Sequence, residues 1–415
     1  MQQDVDVCVI GAGVAGAATA LRLALHGMRV ALIDASAPPA WTTGPASGDV
    51  GVELQLDADA DRRPEGRRLR VPQLRQEGAS ERRPYPHAEA CEVLAPSAVH
   101  ALAALGVDDA RMLGGDCRGV LSRWHGDTAG FTDFELLGCT PGRIVNRGVV
   151  ARRLVARAAD AGAVVAIPGP VRAERFGTRW SLCPARHPQR DLSCRHLIDA
   201  TGRSGRSVAM LPVRRHHDRA VCLSTKQTAP LLDPTVLVVD RSTHGWWYAI
   251  AGGDSATDVA FVTDADLLPS ARARAAWLAT EYREATLIMA SLDGVPPFVT
   301  LTSRDARSGH RATAAGNGWL AVGDAALSWD PLSGHGMQFA LESAEHAAEA
   351  VVAGDAERLY PAYLQWCGDA VREYDRARAS MYGAATTVRP DSEFWRRREP
   401  ASDGQPVLAA PRRVT

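Results

Sequence analysis

The segment that decides the fold is Val-Asp-Val-Cys-Val-Ile-Gly-Ala-Gly-Val-Ala-Gly at residues 5–16. An apolar run typical of a buried strand leads into a G-x-G-x-x-G turn, and a helical pattern follows. Gly11 permits the tight turn, Gly13 lets the backbone approach a pyrophosphate, and Gly16 allows helix and strand to pack closely. The helix N-terminus adds N–H groups and a dipole that favour phosphate. The segment therefore predicts a dinucleotide site formed by Gly11, Gly13, Ala15 and Gly16.

An acidic residue closes this βαβ unit. Residues 30–33 form the predicted second strand, and Asp34 ends it 18 residues after Gly16. A carboxylate at this position accepts hydrogen bonds from ribose hydroxyls and disfavours a 2′-phosphate. The ligand is therefore expected to be FAD or NAD rather than NADP.

A second glycine-rich segment, at residues 316–338, separates FAD from NAD. A predicted strand there ends in Gly323-Asp324, which places a carboxylate where it can bind a ribityl hydroxyl. NAD has no such linear polyol. The following loop offers bare backbone N–H groups to an isoalloxazine edge, and the next helix dipole favours the negative charge that develops on flavin reduction. The residues assigned to that edge are Pro331, Gly334, Gly336 and Met337.

The order of strand and helix patterns predicts an α/β fold with a second sheet inserted into it. The predicted parts are the first part of an FAD-binding domain (1–210), an inserted β-sheet substrate domain (211–312), the second part of the FAD-binding domain (313–353), and a C-terminal helical region and tail (354–415). Residues 35–87 lack periodicity and carry an arginine-rich run at 62–83. They are expected to form a solvated loop or, alternatively, a lid or docking surface.

Bulk composition excludes several classes of protein. A formal net charge of -1 gives no broad drive toward nucleic acid. None of the eight cysteines stands in a C-x-x-C pair, so we expect reduced core thiols rather than a metal site or a disulfide framework. There is no signal-peptide pattern and no apolar stretch long enough to span a bilayer, which predicts a cytoplasmic protein.

Taken together, these segments resemble the flavoprotein monooxygenases of the p-hydroxybenzoate hydroxylase and flavin-dependent halogenase type. Within that family the sequence is most similar to the flavoproteins that mature tryptophylquinone enzymes, namely lysine ε-oxidase, glycine oxidase and quinohemoprotein amine dehydrogenase. Four segments carry this similarity: Gly-Trp-Trp-Tyr-Ala at 245–249, Thr-Asp-Ala-Asp-Leu-Leu at 263–268, the run 318–336, and Phe-Trp-Arg-Arg-Arg at 394–398. The resemblance implies a glutathione-reductase-type FAD-binding fold with an inserted antiparallel-sheet domain and a helical C-terminal part.

The resemblance also assigns two cofactor-related positions. Arg147, just before a predicted helix, matches a residue that usually contacts the cofactor; a surface arginine at a helix start is the alternative. The segment 199–203, Asp-Ala-Thr-Gly-Arg, matches the strand end beside the FAD fold, but only loosely the Asp-Gly fingerprint of direct NAD(P)H binding. The electron donor is therefore NAD(P)H or a separate flavin reductase.

The candidate catalytic residues come from three places. Trp246-Trp247-Tyr248 lies on a predicted strand, where Trp246 and Tyr248 share one face and Trp247 the other. The tract forms either sheet core or an aromatic wall over the flavin, so Trp247 and Tyr248 are candidates. In the relatives a Gly-Glu pair precedes an apolar-Pro segment, and Glu92, before Val-Leu-Ala-Pro at 93–96, fits this pattern better than Glu89 and is expected to face the active site. His335 lies between the flavin glycines, where it can transfer protons or cap the helix.

The activity that the resemblance implies is FAD-dependent monooxygenation of an aromatic ring by O2. The leading substrate is a tryptophan side chain of a partner polypeptide, hydroxylated during quinone-cofactor maturation. The alternatives are a small-molecule aromatic hydroxylase of a biosynthetic cluster, a geranylgeranyl-reductase-like saturase, and a flavin-binding chaperone. Halogenation is not expected, because the halogenases place a lysine between the glycine turn and the Ala-Thr-Gly strand, whereas Lys226 is the only lysine of this chain.

Overall fold

The computed structural model describes most of the chain: residues 3–34, 91–107, 113–137, 140–168, 171–184, 192–204, 211–252, 256–294, 301–354, 360–386 and 390–399. The predicted loop at 35–87, with its arginine-rich run at 62–83, lies outside these residues. The predicted tail beyond residue 399 also lies outside them.

The strands, in chain order, are β1 (Gln3–Asp4), β2 (Val7–Ile10), β3 (Val30–Asp34), β4 (Cys91–Leu94), β5 (Leu113–Cys117), β6 (Gly119–Arg123), β7 (Gly130–Asp133), β8 (Gly142–Asn146), β9 (Val164–Pro168), β10 (Val171–Phe176), β11 (Arg179–Pro184), β12 (Leu192–Cys194), β13 (His196–Asp199), β14 (Arg214–His216), β15 (Ala220–Gln227), β16 (Val236–Ser242), β17 (Gly245–Ala251), β18 (Thr257–Asp264), β19 (Thr302–Asp305), β20 (Gly309–Arg311), β21 (Ala315–Gly316), β22 (Trp319–Ala321) and β23 (Leu327–Ser328). The helices are α1 (Val14–Leu25), α2 (Pro96–Ala104), α3 (Arg147–Asp160), α4 (Ala271–Glu284), α5 (Thr286–Ser291), α6 (Gly336–Val352), α7 (Pro361–Thr386) and α8 (Glu393–Arg396).

The nucleotide-binding half is built on a six-stranded sheet of order β21-β22-β13-β2-β3-β9. Its pairings are parallel except that of β21 with β22. Strands β2 and β3 are buried along their whole length, as expected of a parallel sheet that is covered on both faces. Helix α1 packs against both α3 and α6. This arrangement confirms the predicted α/β fold and joins residues 3–34 to residues 315–352.

The second large sheet has seven strands in the order β19-β15-β18-β17-β16-β6-β7. Its pairings are antiparallel except that of β16 with β6. Strands β6 and β7 precede the predicted domain boundary at residue 211, so the sheet recruits strands from both sides of β13. These strands belong to the sheet because β6 pairs with β16, far along the chain. Local sequence patterns do not predict this pairing.

The two faces of this sheet pack against different neighbours. Trp247 lies in a hydrophobic cluster with Phe261 and with Tyr282 of α4. Trp246 faces the other way, into a cluster with Trp395 of α8, and Tyr248 packs against that same cluster. The alternation predicted for the Trp-Trp-Tyr tract is therefore confirmed, and the tract is largely sheet core.

The C-terminal helices connect the two halves of the molecule. The Tyr363 hydroxyl of α7 donates to the backbone oxygen of Ala321 in the nucleotide sheet, at 2.6 Å. Farther along α7, the Tyr382 hydroxyl lies 3.0 Å from the carboxylate of Asp330. Tyr382 also packs in the cluster that covers one face of the seven-stranded sheet. Helix α7 thus packs against the nucleotide sheet, the Asp330 segment and the inserted sheet.

Candidate active site

The glycine turn combines two glycines that packing requires with one that borders open space. Gly11 has φ +106°, and a Cβ there would lie 2.2 Å from the carbonyl oxygen of Ala200. A Cβ at Gly16 would lie 1.9 Å from the oxygen of Gly11, so close packing of α1 excludes a side chain there. A Cβ at Gly13 would meet nothing within 4 Å. Gly13 therefore borders the space that a pyrophosphate takes at a helix N-terminus.

Asp34 lies beside this turn, at the end of β3. Its side chain is buried, and Oδ2 accepts a hydrogen bond of 2.6 Å from the backbone N–H of Ala12. The bond fixes the carboxylate at the carboxyl end of the parallel strands, where nucleotides bind to such sheets. The structure thus places Asp34 where a ribose-binding acid is needed.

The Gly-Asp turn packs directly on the glycine turn. Gly323 has φ +56°, and a Cβ there would lie 2.6 Å from the Cβ of Ala15. Its backbone N–H donates to the hydroxyl of Ser343 on α6 at 2.9 Å. Asp324 follows with a side chain 16% exposed, and its Oδ2 lies 3.2 Å from Nε of Arg203. Two segments far apart in sequence therefore form one surface.

The loop after this turn presents backbone rather than side chains. Asp330 caps the 3-10 turn Pro331–Ser333, and Gly334 follows with φ +64°. Neither Gly334 nor Gly336 would bring a Cβ within 4 Å of another atom. Helix α6 begins at Gly336, and the side chain of Met337 is buried in the core. Open space beside bare backbone at a helix N-terminus suits the polar edge of a flavin, so these residues fit FAD.

Arg147, Glu92, Tyr248 and Asp324 share one electrostatic environment. Nη1 of Arg147, at the start of α3, lies 3.4 Å from Oε1 of Glu92. The carboxylate of Glu92, and after it Asp324 and Tyr248, raises the pKa of Arg147. Burial raises the pKa of Tyr248 well above that of a free phenol, and Cys222 and Glu92 add to the shift. The structure therefore brings two catalytic candidates together with two cofactor candidates, and keeps the phenol protonated.

Trp247 is separated from this group. It is 2% exposed, and its ring lies 4.6 Å from that of Phe261 and 5.8 Å from that of Tyr282, measured between centroids. These contacts are on the face of the sheet covered by α4 and α5. Among the aromatic candidates, the structure therefore places only Tyr248 beside Glu92 and Arg147.

We call the loop at residues 330–336 the flavin loop. His335 makes its contacts within and next to this loop. Its Nδ1 lies 2.6 Å from the backbone oxygen of Ser333, and its ring stacks on that of Trp329 with centroids 5.3 Å apart. It is the residue before α6, but its side chain accepts no hydrogen bond from the first turn of that helix. The imidazole is exposed at the loop surface rather than grouped with Glu92.

Sequence reasoning missed a set of buried charges that supports the Gly-Asp turn. Asp199 and Arg311 form an ion pair in which both side chains are 1% exposed. Asp199 also accepts a hydrogen bond of 3.0 Å from the backbone N–H of Thr201. Arg203 contacts Asp324 and donates to the backbone oxygen of Trp329 at 3.1 Å. The segment 199–203 marked this region in the sequence, but nothing there identified Arg311 as its partner.

A pair of histidines next to α7, with His217 half-buried and His310 buried, predicts pH-dependent stability. Nε2 of His217 lies 2.7 Å from Nδ1 of His310, and the ring of His217 packs near Tyr374. Burial, reinforced by His310, lowers the pKa of His217 to about 4. The folded protein therefore holds this imidazole neutral, whereas the unfolded chain binds a proton below about 6.5. Stability is fully present above that pH and is lost as pH falls toward 4.

The expected result is a melting temperature that drops between pH 6.5 and pH 4.5, with a shallower drop in His217→Gln. The measurement is a thermal melt of each protein across that range, with His26→Gln, an exposed residue after α1, as the control. Parallel curves for the parent and His217→Gln would contradict this account.

Two features are absent from the part of the chain that the structure describes. None of the helices in that part of the chain is both long and apolar enough to cross a membrane. No grouping of three or more histidine, cysteine, aspartate or glutamate side chains suited to a metal ion occurs there. Six of the cysteines in it, Cys8, Cys91, Cys117, Cys194, Cys222 and Cys367, are buried, in keeping with core residues.

Fold and site together define an FAD-dependent oxidoreductase. The model of the DAO family, described as FAD dependent oxidoreductase, matches residues 6–350, and the chain belongs to this family. Among curated proteins, it is 29% identical over 224 residues to the putative FAD-dependent oxidoreductase LodB of Marinomonas mediterranea. That match covers 51% of this chain and 59% of LodB, so the chain spans about three fifths of that relative.

Solved structures share the fold over nearly the whole chain. The peptidyl tryptophan dihydroxylase QhpG, described as essential for tryptophylquinone cofactor biogenesis, is 20% identical with a TM-score of 0.68, covering 98% of this chain and 81% of QhpG. The myxobacterial chondrochloren halogenase CndH is 20% identical with a TM-score of 0.73, covering 97% of this chain and 87% of CndH. At identities this low, the structural matches establish the fold. It is the fold of flavin-dependent hydroxylases and halogenases, which confirms the predicted resemblance.

Proposed function

We propose that this oxidoreductase is a monooxygenase that hydroxylates a tryptophan side chain of a partner polypeptide during maturation of a quinone cofactor. The observation that carries the proposal is the grouping of Glu92, Arg147 and Tyr248 beside Asp324. It sets a carboxylate, a cation and a protonated phenol where the seven-stranded sheet meets the flavin-binding surface. The activity of QhpG, a peptidyl tryptophan dihydroxylase, and the similarity to LodB support the choice of substrate.

The proposed reaction replaces a ring hydrogen with a hydroxyl group. When bound, reduced FAD supplies the activation of O2. One oxygen atom becomes the hydroxyl group on a ring carbon and the other leaves as water. NAD(P)H or a separate flavin reductase provides the two electrons. Glu92 accepts the proton that the ring loses, and its ion pair with Arg147 orients the carboxylate for this step. Tyr248 donates a hydrogen bond that orients the ring or the bound oxygen.

The product of the reaction tests this proposal. The flavoprotein is supplied with NAD(P)H, a flavin reductase, labelled O2, excess bromide and tryptophan-containing peptides, and the peptides are analysed by mass spectrometry. We expect labelled oxygen on the tryptophan and no bromine, because Lys226 lies on β15 of the inserted sheet and no other lysine exists to direct a halogen. Arginine is not expected to replace it, because its guanidinium stays protonated.

Each other outcome identifies a different activity. Enzyme-dependent bromination of the peptide would contradict hydroxylation as the reaction. Oxygen transfer to free small aromatic compounds but not to peptides would indicate a small-molecule hydroxylase. Peptide binding without stoichiometric O2 consumption would indicate a saturase or a chaperone, and would overturn the proposal.

A further inference from the structure

A cavity of about 340 Å³ lies between α6 and α7, on the outer side of the flavin loop. Its volume is within the range of ligand pockets, about 300–1,000 Å³. Three aromatic residues, Trp329, Phe339 and Trp366, form one part of the wall, and the carboxylates of Glu342, Asp369 and Glu373 form another. None of these residues belongs to the group around Glu92 and Arg147. We call this feature the aromatic-acidic cavity.

The aromatic wall is held in place by the core. Phe339 and Trp329 are 2% and 6% exposed, with ring centroids 6.0 Å apart. The ring of Trp366, on α7, stacks on Phe339 at 5.3 Å with an interplanar angle of 6°. Fixed ring faces of this kind attract a cation within about 6 Å of a ring centroid. Of the three rings, Trp366 is the partly exposed one, so it is the ring that a flat, positively charged group would contact.

The acidic wall carries more negative charge than its neighbours cancel. Glu342 accepts a hydrogen bond of 2.8 Å from the neutral side chain of Gln338. Asp369 pairs with Arg372, which lies one helical turn along α7 and is 57% exposed. Glu373 lines the same cavity. The described residues of the cavity wall therefore include three carboxylates and no arginine or lysine, and Arg372, outside the wall, pairs with one of the three.

Trp329, a residue of the cavity wall, carries an unmet hydrogen-bond donor. Its indole Nε1–H is buried and has no acceptor among the described residues. A buried donor without an acceptor is unfavourable, because it has lost its hydrogen bonds to water. A ligand that combines a cation with a carbonyl oxygen would match both the carboxylates and this donor. A peptide carrying a basic side chain has that combination.

We propose that the aromatic-acidic cavity binds the guanidinium of an arginine side chain on the polypeptide substrate. This inference rests on the proposed function, since it assigns an anchor for the same partner. Arginine is preferred to lysine because its planar guanidinium stacks on aromatic faces and binds carboxylates in a bidentate manner. Both Trp329 and His335 belong to the cavity wall as well as to the flavin loop region, so an arginine bound in the cavity lies next to that loop.

The test is a binding measurement that does not depend on turnover. The FAD-loaded full chain is titrated with acetyl-Gly-Arg-Gly-amide, with the isosteric neutral citrulline peptide, and with the lysine peptide, using calorimetry and tryptophan fluorescence. We expect the arginine peptide to bind at least about tenfold more tightly than the citrulline peptide, as for loss of a hydrogen bond between charged groups. Binding should weaken further at high salt.

Matched variants locate the site. Glu342→Gln combined with Glu373→Gln is expected to weaken arginine-peptide binding at least about tenfold, and Trp366→Leu to weaken it as well. Glu349→Gln, an exposed change on the same helix but outside the cavity, should bind as the parent does. FAD content and circular dichroism verify that each variant is folded.

The outcomes separate this inference from the proposed function. Equal binding of the arginine and citrulline peptides, or unchanged binding by the double variant, would overturn the cavity assignment. Equal binding of the lysine peptide would replace arginine specificity with a general cation site and contradict the proposal in that form. If the arginine peptide binds but tryptophan peptides are not oxidised, the cavity stands and the proposed function fails.

Discussion

A Gly11→Ala variant should lose much of the protein's stability, whereas Gly13→Ala should keep that stability and lose FAD. The methyl group at residue 11 would lie 2.2 Å from the backbone oxygen of Ala200, and φ +106° is unfavourable for alanine. Overpacking and backbone strain together cost about 3 kcal/mol or more, a large share of the stability of an ordinary protein. At Gly13, φ is -68° and the methyl group would enter open space, so the cost should stay within about 1 kcal/mol.

The FAD content responds differently from stability because the open space at Gly13 is where the phosphates must approach the helix N-terminus. A methyl group there holds them away from the first N–H groups of α1, and each lost charge-assisted bond weakens binding about tenfold or more. The measurements are urea unfolding of the apoproteins and FAD affinity by fluorescence. A stable, FAD-binding Gly11→Ala protein, or unchanged affinity in Gly13→Ala, would mean that the turn is built differently.

The flavin-binding half was predictable because its information is local. Gly11, Gly13 and Gly16 specify a backbone path that few other residues can follow, and Gly323-Asp324 specifies a second one. Each path directs its own segment to the ends of the parallel strands. Because both turns are typical of the same fold, the fold itself predicts that they contact each other.

Features that depend on distant partners were not predictable. A single helix is predicted over residues 270–292, but the chain breaks at Ala285 into α4 and α5. The cause is Asp240, whose Oδ2 accepts from the backbone N–H groups of Leu287 and Ile288 at 2.8 and 3.4 Å. The sequence pattern also predicts a helix over residues 93–105, which is too long, since β4 occupies its start and α2 begins at Pro96. In this case the proline was a local signal.

The sequence predicted which residues belong to the candidate site better than it predicted how they are arranged. The sequence identified Glu92, Arg147, Tyr248 and Asp324 separately, from motifs in four different segments. Strand alternation placed Trp247 opposite Tyr248, and that alternation is confirmed, but periodicity does not tell which face meets the flavin. The answer depends on where α4 and α5 pack, which is a property of the tertiary structure.

Two of the segments that carry the family resemblance prove to contact each other. Arg398, after α8, is 1% exposed, and its Nη2 lies 2.7 Å from Oδ1 of Asp264, which is 2% exposed. Its guanidinium also lies 3.7 Å from the ring centroid of Phe394. The neighbouring Arg397 pairs with Asp264 at 3.0 Å and with Asp266, but its side chain is 32% exposed. The two arginines therefore contact the same carboxylate, one from a buried position and the other from a partly exposed one.

The expected result is that Arg398→Met lowers the free energy of unfolding by about 3–5 kcal/mol, because it leaves a buried carboxylate short of its main partner. Arg397→Met, the matched control, should cost about 1 kcal/mol or less, because water replaces a partly exposed cation. Urea unfolding of the FAD-loaded proteins measures both. Tyr382 makes a cation–π contact with Arg398 and a hydrogen bond with Asp330 at the flavin loop. If the segment 394–398 separates from the inserted sheet, Tyr382 would therefore lose its contact with Arg398 as well. FAD should therefore dissociate faster from Arg398→Met than from Arg397→Met, and equal losses in the two variants would show that the buried pair does not couple the C-terminal segment to the flavin loop.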